Sequence, residues 1–105
     1  MSWRRIGPWP LLLAALATAC AVDPPQPPPG LALDPEVAAA VEQGRAAVTE
    51  RPRDAERWLH LGMIYEANRL DNLALPCYER GVALAARSAR GWYRLAQVRA
   101  RLGDA

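Results

Sequence analysis

Residues 58–65, WLHLGMIY, decide the fold, because part of this stretch returns 34 positions later as WYRLAQVR at residues 92–99. Both copies place a tryptophan first, a leucine three positions on and a small residue directly after that leucine. A fixed period of this length predicts a row of similar helical units that stack on one another. Small residues let two helices approach closely, and large residues fill the gaps between successive helices.

Start and stop signals divide residues 34–105 into four helices. Asp34 followed by Pro35 is typical of a helix N-terminus, and Asp54 and Ser88 are further N-cap residues. Apolar residues recur at spacings of three and four between these signals, and no stretch alternates in the manner of a strand. The predicted fold class is therefore all-α. We expect helices over residues 35–50, 55–69, 73–86 and 89–102.

The repeat resembles the tetratricopeptide repeat, which has the same period and the pattern Trp-x-x-Leu-Gly-x-x-Tyr, followed by small and aromatic residues at fixed offsets. The resemblance covers residues 35–105 and implies a short helical solenoid of about four antiparallel helices, or about two repeats. The first helix would be the back half of a preceding repeat, because Ala40 and Pro52 stand one period before Ala74 and Ala86. The residues that the resemblance assigns to packing between helices are Trp58, Leu61, Gly62, Tyr65, Ala74, Tyr78, Trp92, Leu95 and Ala96.

The C-terminal end of such an array would be open. Leu95, Val98 and Leu102 lie on the apolar face of the fourth helix, and we expect them to lack the following helix that would cover them. Stacked repeats generally need about three units for stability, and exposed apolar side chains favour association. Three explanations stay open: a partner covers this end, two copies pair there, or the chain is the truncated start of a longer array.

In this family the first helix of each pair lines a groove that holds peptides, and the resemblance implies such a groove here. Arginines at helical spacing on the fourth helix predict a basic surface for an acidic or C-terminal segment, because arginine binds carboxylates bidentately. The second helix would add a mixed apolar and acidic wall. The alternative is an ordinary solvated face. The candidate partner-binding residues are Arg90, Tyr93, Arg94, Gln97, Arg101, Leu59 and Met63.

Residues 1–19 have the order of a secretory signal peptide, with Arg4 and Arg5 ahead of an apolar run that is too short to span a membrane. Residues 16–20, LATAC, resemble a bacterial lipobox, which implies cleavage before Cys20 and a lipid on its thiol. The same bond suits ordinary signal peptidase, which would leave a soluble periplasmic protein.

Residues 20–33 join this leader to the helical domain. Five of the chain's ten prolines fall here, so the segment is predicted to be an extended, semi-rigid tether that follows the lipidated Cys20. If Cys20 carries no lipid, a disulfide with Cys77 is the alternative in an oxidising compartment.

Charge and composition argue against several function classes. All 13 basic residues are arginines, and without Arg4 and Arg5 the remaining arginines balance the 11 acidic residues of the 105-residue chain. A neutral exported protein does not suit nucleic-acid binding. His60 has no cysteine or histidine four residues away, and Ser88 is better explained as an N-cap than as a nucleophile. We therefore predict no metal, no cofactor and no enzymatic activity.

The sequence as a whole predicts a membrane-anchored lipoprotein of the bacterial cell envelope. Ala21, and not aspartate, follows Cys20, which by the enterobacterial sorting convention places the protein in the outer membrane, facing the periplasm. Its predicted function is that of a protein-protein interaction module or assembly factor, whose partners are envelope proteins or their acidic peptide segments. The alternative is a soluble periplasmic or structural accessory subunit that docks, or self-associates, through its uncapped C-terminal helix.

Overall fold

The computed structural model describes residues 22–103, so the predicted leader over residues 1–19 and the predicted lipid on Cys20 lie outside the described residues. The described chain forms four helices: α1 (Pro35–Glu50), α2 (Ala55–Ala67), α3 (Asp71–Leu84) and α4 (Ala89–Arg101). No strand occurs between residues 22 and 103, which confirms the all-α class for this part of the chain. Over the same residues, no helix combines the length and the apolar character needed to cross a membrane.

The period seen in the sequence also governs the helix ends. Helix α4 begins and ends 34 positions after α2, and α3 ends 34 positions after α1. A side-chain oxygen caps both equivalent starts: Asp54 accepts from the amide of Glu56 at 3.1 Å, and Ser88 accepts from the amide of Gly91 at 3.0 Å. These bonds satisfy amides that a helix N-terminus otherwise leaves without a partner.

The two tryptophans make equivalent hydrogen bonds. The indole N–H of Trp58 donates to the carbonyl of Pro52, and that of Trp92 donates to the carbonyl of Ala86, both at 2.7 Å. Each bond fastens the start of one helix to the turn that precedes it. The repeat in the sequence is therefore also a repeat of backbone turns and side-chain contacts.

The core lies where α2 packs against its neighbours, and glycines allow the closest approach. A Cβ atom on Gly62 would lie 2.5 Å from Cε1 of Tyr78 on α3, and one on Gly81 would collide with Leu59 on α2. Gly62 and the following predicted packing residues are buried: Trp58, Leu61, Tyr65, Ala74, Tyr78 and Leu95. The other two, Trp92 and Ala96, are exposed.

Helix α2 ends two residues earlier than the sequence pattern predicts. Arg69 takes a left-handed conformation, with φ of 60°, which an α-helix cannot continue. The amide of Leu70 then donates to the carbonyl of Tyr65 at 2.9 Å, and the side-chain amide of Asn68 donates to the carbonyl of Ile64 at 2.8 Å. These bonds close the last turn in the manner of a helix C-cap, with arginine where glycine is usual.

The bounds of α3 also differ from the prediction of residues 73–86. The helix begins at Asp71, two residues before the predicted start. It ends at Leu84, where the amide of Ala85 still donates to the carbonyl of Gly81 at 2.9 Å. Pro76 is the sixth residue of the helix, past its first turn, so proline removes one intrahelical hydrogen bond there.

The prediction that Leu95 and Val98 lie uncovered is wrong. Their side chains are 2% and 0% exposed, because packing of α4 on α3 brings both into the same core as Tyr78. Leu102 is 38% exposed, as predicted, but the large exposed side chains within α4 are Trp92 at 47% and Tyr93 at 64%. The exposed apolar surface of α4 is therefore mainly aromatic.

The proline-rich segment packs on the helices instead of extending freely from them. Residues 22–33, which we call the strap, contain no helix. Pro24 is buried, the carbonyl of Pro25 accepts from the hydroxyl of Tyr65 at 2.5 Å, and Oε1 of Gln26 accepts from Arg45 at 3.2 Å. The prediction that residues 20–33 form an extended tether is therefore corrected for Pro24–Gln26, which pack on the helices.

Candidate functional site

The arginines of α4 lie beside acidic residues of α2 and α3, and we call this group the charged face. Arg90 binds Glu56, and Arg94 approaches Glu66 to within 3.4 Å. Arg101 binds Glu66 at 2.5 Å and Asp71 at 3.0 Å. The charged face therefore comprises Glu56, Glu66, Asp71, Arg90, Arg94 and Arg101.

Glu66 is the central residue of the charged face because it joins three helices. Its carboxylate accepts a hydrogen bond from the hydroxyl of Tyr78 at 2.5 Å and binds Arg94 and Arg101 of α4. Its side chain is only 12% exposed, whereas the two arginines are 36% and 44% exposed. Because both arginines are partly exposed, screening by water weakens their ion pairs with Glu66.

The charges around Glu66 keep it ionised. Burial by itself raises the pKa of this carboxyl, but the hydrogen bonds from Tyr78 and Arg101 and the positive charges of Arg101 and Arg94 outweigh burial, so its pKa lies below the usual value. Burial, followed by the hydrogen bond to Glu66, raises the pKa of Tyr78 above its usual range. Near neutral pH the Glu66 carboxylate is thus the acceptor and the Tyr78 hydroxyl the donor of this bond.

These pairs change the interpretation of the predicted basic surface. Arg90, Arg94 and Arg101 do share a face, as their spacing predicts, but each is already bound to a carboxylate of the same chain. An acidic partner would have to compete with Glu56 and Glu66 for them. Glu66 is itself bound by Tyr78 and by two arginines of the same chain, so it is not a free surface charge.

The other candidate partner-binding residues occupy different environments. Tyr93 is 64% exposed, and its hydroxyl accepts a hydrogen bond from Gln97 at 3.1 Å. Met63 is half-buried against the core. Leu59 is 2% exposed and fills the space that Gly81 leaves open, which corrects its prediction as a surface residue.

An apolar groove between α3 and α4 lies apart from the charged face. The exposed ring of Trp92 lies at this groove of about 390 Å³, and the ion pair of Arg99 with Glu79, at 3.3 Å, stands beside it. The other lining residues are Val82, Ala83, Ala86 and Leu95. Trp58, the equivalent of Trp92 in the preceding repeat, is only 1% exposed. The chain therefore buries one tryptophan of the pair and leaves the other accessible.

The remaining reactive side chains are isolated. Cys77 is a free, fully buried thiol, and burial raises its pKa to about 12, so the structure gives no support to a disulfide with Cys20. His60 is exposed on α2. Between residues 22 and 103, no group of three or more His, Cys, Asp or Glu side chains could hold a metal ion.

The charged face could have been found from the sequence by applying the period to charges. Glu56 and Arg90 are 34 positions apart, which is the period of the repeat, and Glu66 and Arg101 are 35 apart, one residue more. Opposite charges therefore recur at or next to equivalent positions. Comparisons with protein-family models, with curated proteins and with solved structures find no match for the chain. Its interpretation therefore depends on its own residues and their contacts.

Proposed function

We propose that the chain is a short tetratricopeptide-repeat protein that binds another envelope protein, and that a lipid on Cys20 anchors it to the bacterial outer membrane. The periodic recurrence of the helix ends, the N-caps and the two indole hydrogen bonds supports the assignment to this repeat class. The lipobox-like residues 16–20 support the anchor. Function as an interaction module is in keeping with a surface that offers aromatic rings and ion pairs.

The observation that carries the binding function is the exposure of Trp92 at the groove between α3 and α4. A half-exposed tryptophan beside apolar side chains is typical of a protein interaction site. In the preceding repeat, α3 packs beside α2 and Trp58 is buried. A helix that packed on α4 in the same way would cover Trp92, so the partner we propose is an amphipathic helix with an apolar face.

Ala96 offers a way to test this surface without disturbing the core. It is exposed and lies one helical turn after Trp92, so Ala96→Arg would place a long charged side chain beside Trp92, on the surface that a helix packed on α4 would cover. Ala39→Arg makes the same change at an exposed alanine in α1 and is the matched control. We expect Ala96→Arg to abolish the complex that the full chain forms with its envelope partner after cross-linking in cells, while Ala39→Arg leaves it intact.

Equal cross-linking by the two variants would reject the α4 surface. Sedimentation of the purified chain distinguishes the alternative of self-association: if the wild type is a dimer and Ala96→Arg is a monomer, the occupant of the groove is a second copy. The anchor is tested separately by the intact mass of the mature protein. We expect acyl chains on Cys20 and loss of membrane association in Cys20→Ser, and an unacylated wild-type protein would reject the lipoprotein assignment.

A further inference from the structure

The contacts of the strap resemble those of a bound peptide. Tyr65 is fully buried up to its hydroxyl, which donates to the carbonyl of Pro25, a residue 40 positions earlier. Pro24 is buried beside it in the chain, and Gln26 on the other side binds Arg45. Three consecutive residues thus supply a buried ring, a backbone acceptor and a side-chain acceptor to a pair of helices.

The period explains why a site for a segment exists at this end of the fold. Residues 21–33 stand 34 positions before α2, so the strap runs through the place in the chain where the array would have another helix. In the following repeat, α2 packs on α3 and buries Ala74, Cys77 and Tyr78. The strap covers α1 less completely than α2 covers α3.

Part of the corresponding surface on α1 and α2 is still open. A groove of about 380 Å³ lies between the two helices, with a lining of Ala40, Gln43, Gly44, Ala47, His60 and Ile64. Ala40, Gln43 and Gly44 stand 34 positions before Ala74, Cys77 and Tyr78, which are buried in their repeat. In addition, the Nε atom of Arg45 is buried and has no hydrogen-bond partner among the described residues. Arg45 and Tyr65, which the strap contacts, do not line this groove, so the surface between α1 and α2 offers an open apolar groove and, separately from it, a donor that the strap leaves unused.

We propose that the surface between α1 and α2 is a binding site for a proline-containing, non-helical segment of a partner protein, and that the strap occupies this site in cis until the partner displaces it. Tyr65 selects a backbone carbonyl, and Arg45 selects an oxygen-bearing side chain at the next position. A carboxylate there would bind both Nε and Nη2 of Arg45, whereas the amide of Gln26 uses Nη2 alone. The partner segment thus has the form Pro-Pro-Glu or Pro-Pro-Asp in an extended conformation.

A modest affinity of the strap for the site would permit displacement. A segment joined by a short flexible connection competes at an effective concentration of about 1 mM. If the free segment binds with a dissociation constant of about 0.1 mM, the strap weakens a competing peptide by roughly tenfold. A partner that also binds elsewhere on the protein would overcome this factor.

The test uses the synthetic peptide VDPPQPPP, which reproduces residues 22–29, and a second peptide with glutamate at the glutamine position. Binding is measured by NMR titration of the full chain and of a full-chain variant in which residues 24–29 are replaced by a Gly-Ser sequence. We expect the variant to bind the first peptide about tenfold more tightly than the wild type does. The glutamate peptide should bind about tenfold more tightly than the glutamine peptide, because its bond to Arg45 is charge-assisted.

Tyr65→Phe identifies the site because it removes the hydroxyl and keeps the buried ring. In the strap-replaced chain we expect it to weaken both peptides about fivefold, whereas Tyr93→Phe, the matched change at an exposed tyrosine of α4, should alter neither. Equal affinity of wild-type and strap-replaced chains, or binding unaffected by Tyr65→Phe, would overturn the proposal.

Circular dichroism shows whether the strap-replaced chain folds. If it does not, the glutamate peptide is titrated into the wild-type chain. There we expect saturable binding that Tyr65→Phe weakens, and absence of binding up to about 10 mM peptide would overturn the proposal equally.

Discussion

Glu66→Gln keeps the size of the side chain but removes the negative charge by which α2 binds side chains of α3 and α4. Hydrogen bonds to a charged group contribute about 1.5–3 kcal/mol to the free energy of unfolding, more than neutral ones. The ion pairs with Arg94 and Arg101 add little to this, because both arginines are more than one-third exposed to water. The amide can still accept from Tyr78, so we expect a net loss of about 2 kcal/mol.

Urea denaturation followed by tryptophan fluorescence measures this loss, and thermal unfolding gives a second value. For a domain of this size, about 2 kcal/mol corresponds to a decrease in Tm of about 8–16 °C. The matched control is Glu79→Gln, since Glu79 is about half exposed and, among residues 22–103, pairs with Arg99 alone, at 3.3 Å. We expect the control to lose less than about 1 kcal/mol.

The effect of Glu66→Gln should depend on pH with a definite sign. A carboxyl whose pKa is lowered by folding stabilises the protein above its unfolded-state pKa, which is about 4.3. That contribution is lost as the pH falls through the lower pKa of the folded state. The difference between wild type and variant should therefore be full at pH 7 and shrink in acid. A loss equal to that of Glu79→Gln, or one that does not change with pH, would refute the role given to Glu66.

Three further substitutions or reactions test other contacts. Gly62→Ala should lower the free energy of unfolding by about 1–2 kcal/mol, because the collision with Tyr78 exceeds the gain in helix propensity. The control is Gly30→Ala, whose added Cβ would meet no atom within 4 Å. A Gly62→Ala variant more stable than the wild type would contradict this packing. Arg69→Gly should stabilise the protein by about 0.5–1 kcal/mol in the same denaturation assay, since glycine adopts a φ of 60° without strain. In a Cys20→Ser background, Cys77 should react with a thiol reagent only as the protein unfolds, and rapid labelling of the native chain would show that its burial is wrong.

The helical part of the fold was predictable because its signals are local. Pro35, Ala55 and Ala89 begin α1, α2 and α4, as the residues before them predict. The side chains of Asp54 and Ser88 cap α2 and α4. Asp34 stands at the N-cap position of α1 but makes no side-chain hydrogen bond there. The end of α2 was missed because the left-handed conformation belongs to an arginine, for which sequence patterns give no warning.

The candidate sites were less predictable because they join residues that are distant in sequence. Arg101 reaches Asp71 and Glu66 only after α4 has packed on α3, and neither contact follows from the pattern of one helix. The strap was interpreted from its composition, which correctly excludes a helix but carries no information about Tyr65, the residue that holds it. The exposure of Trp92 likewise depends on what packs beside it and not on its own position in the repeat.

The packed strap also determines how the protein responds to tension. A pull on the chain ahead of Pro24 loads the bonds of Pro25 and Gln26 before it reaches α1, since these bonds lie between the pulled end and the helices. Two hydrogen bonds yield at a lower force than the packed helices of the core. Their release frees residues 24–34, which span at most about 36 Å when fully extended. The strap is thus an extensible element that gives way first and leaves the helical core folded under load.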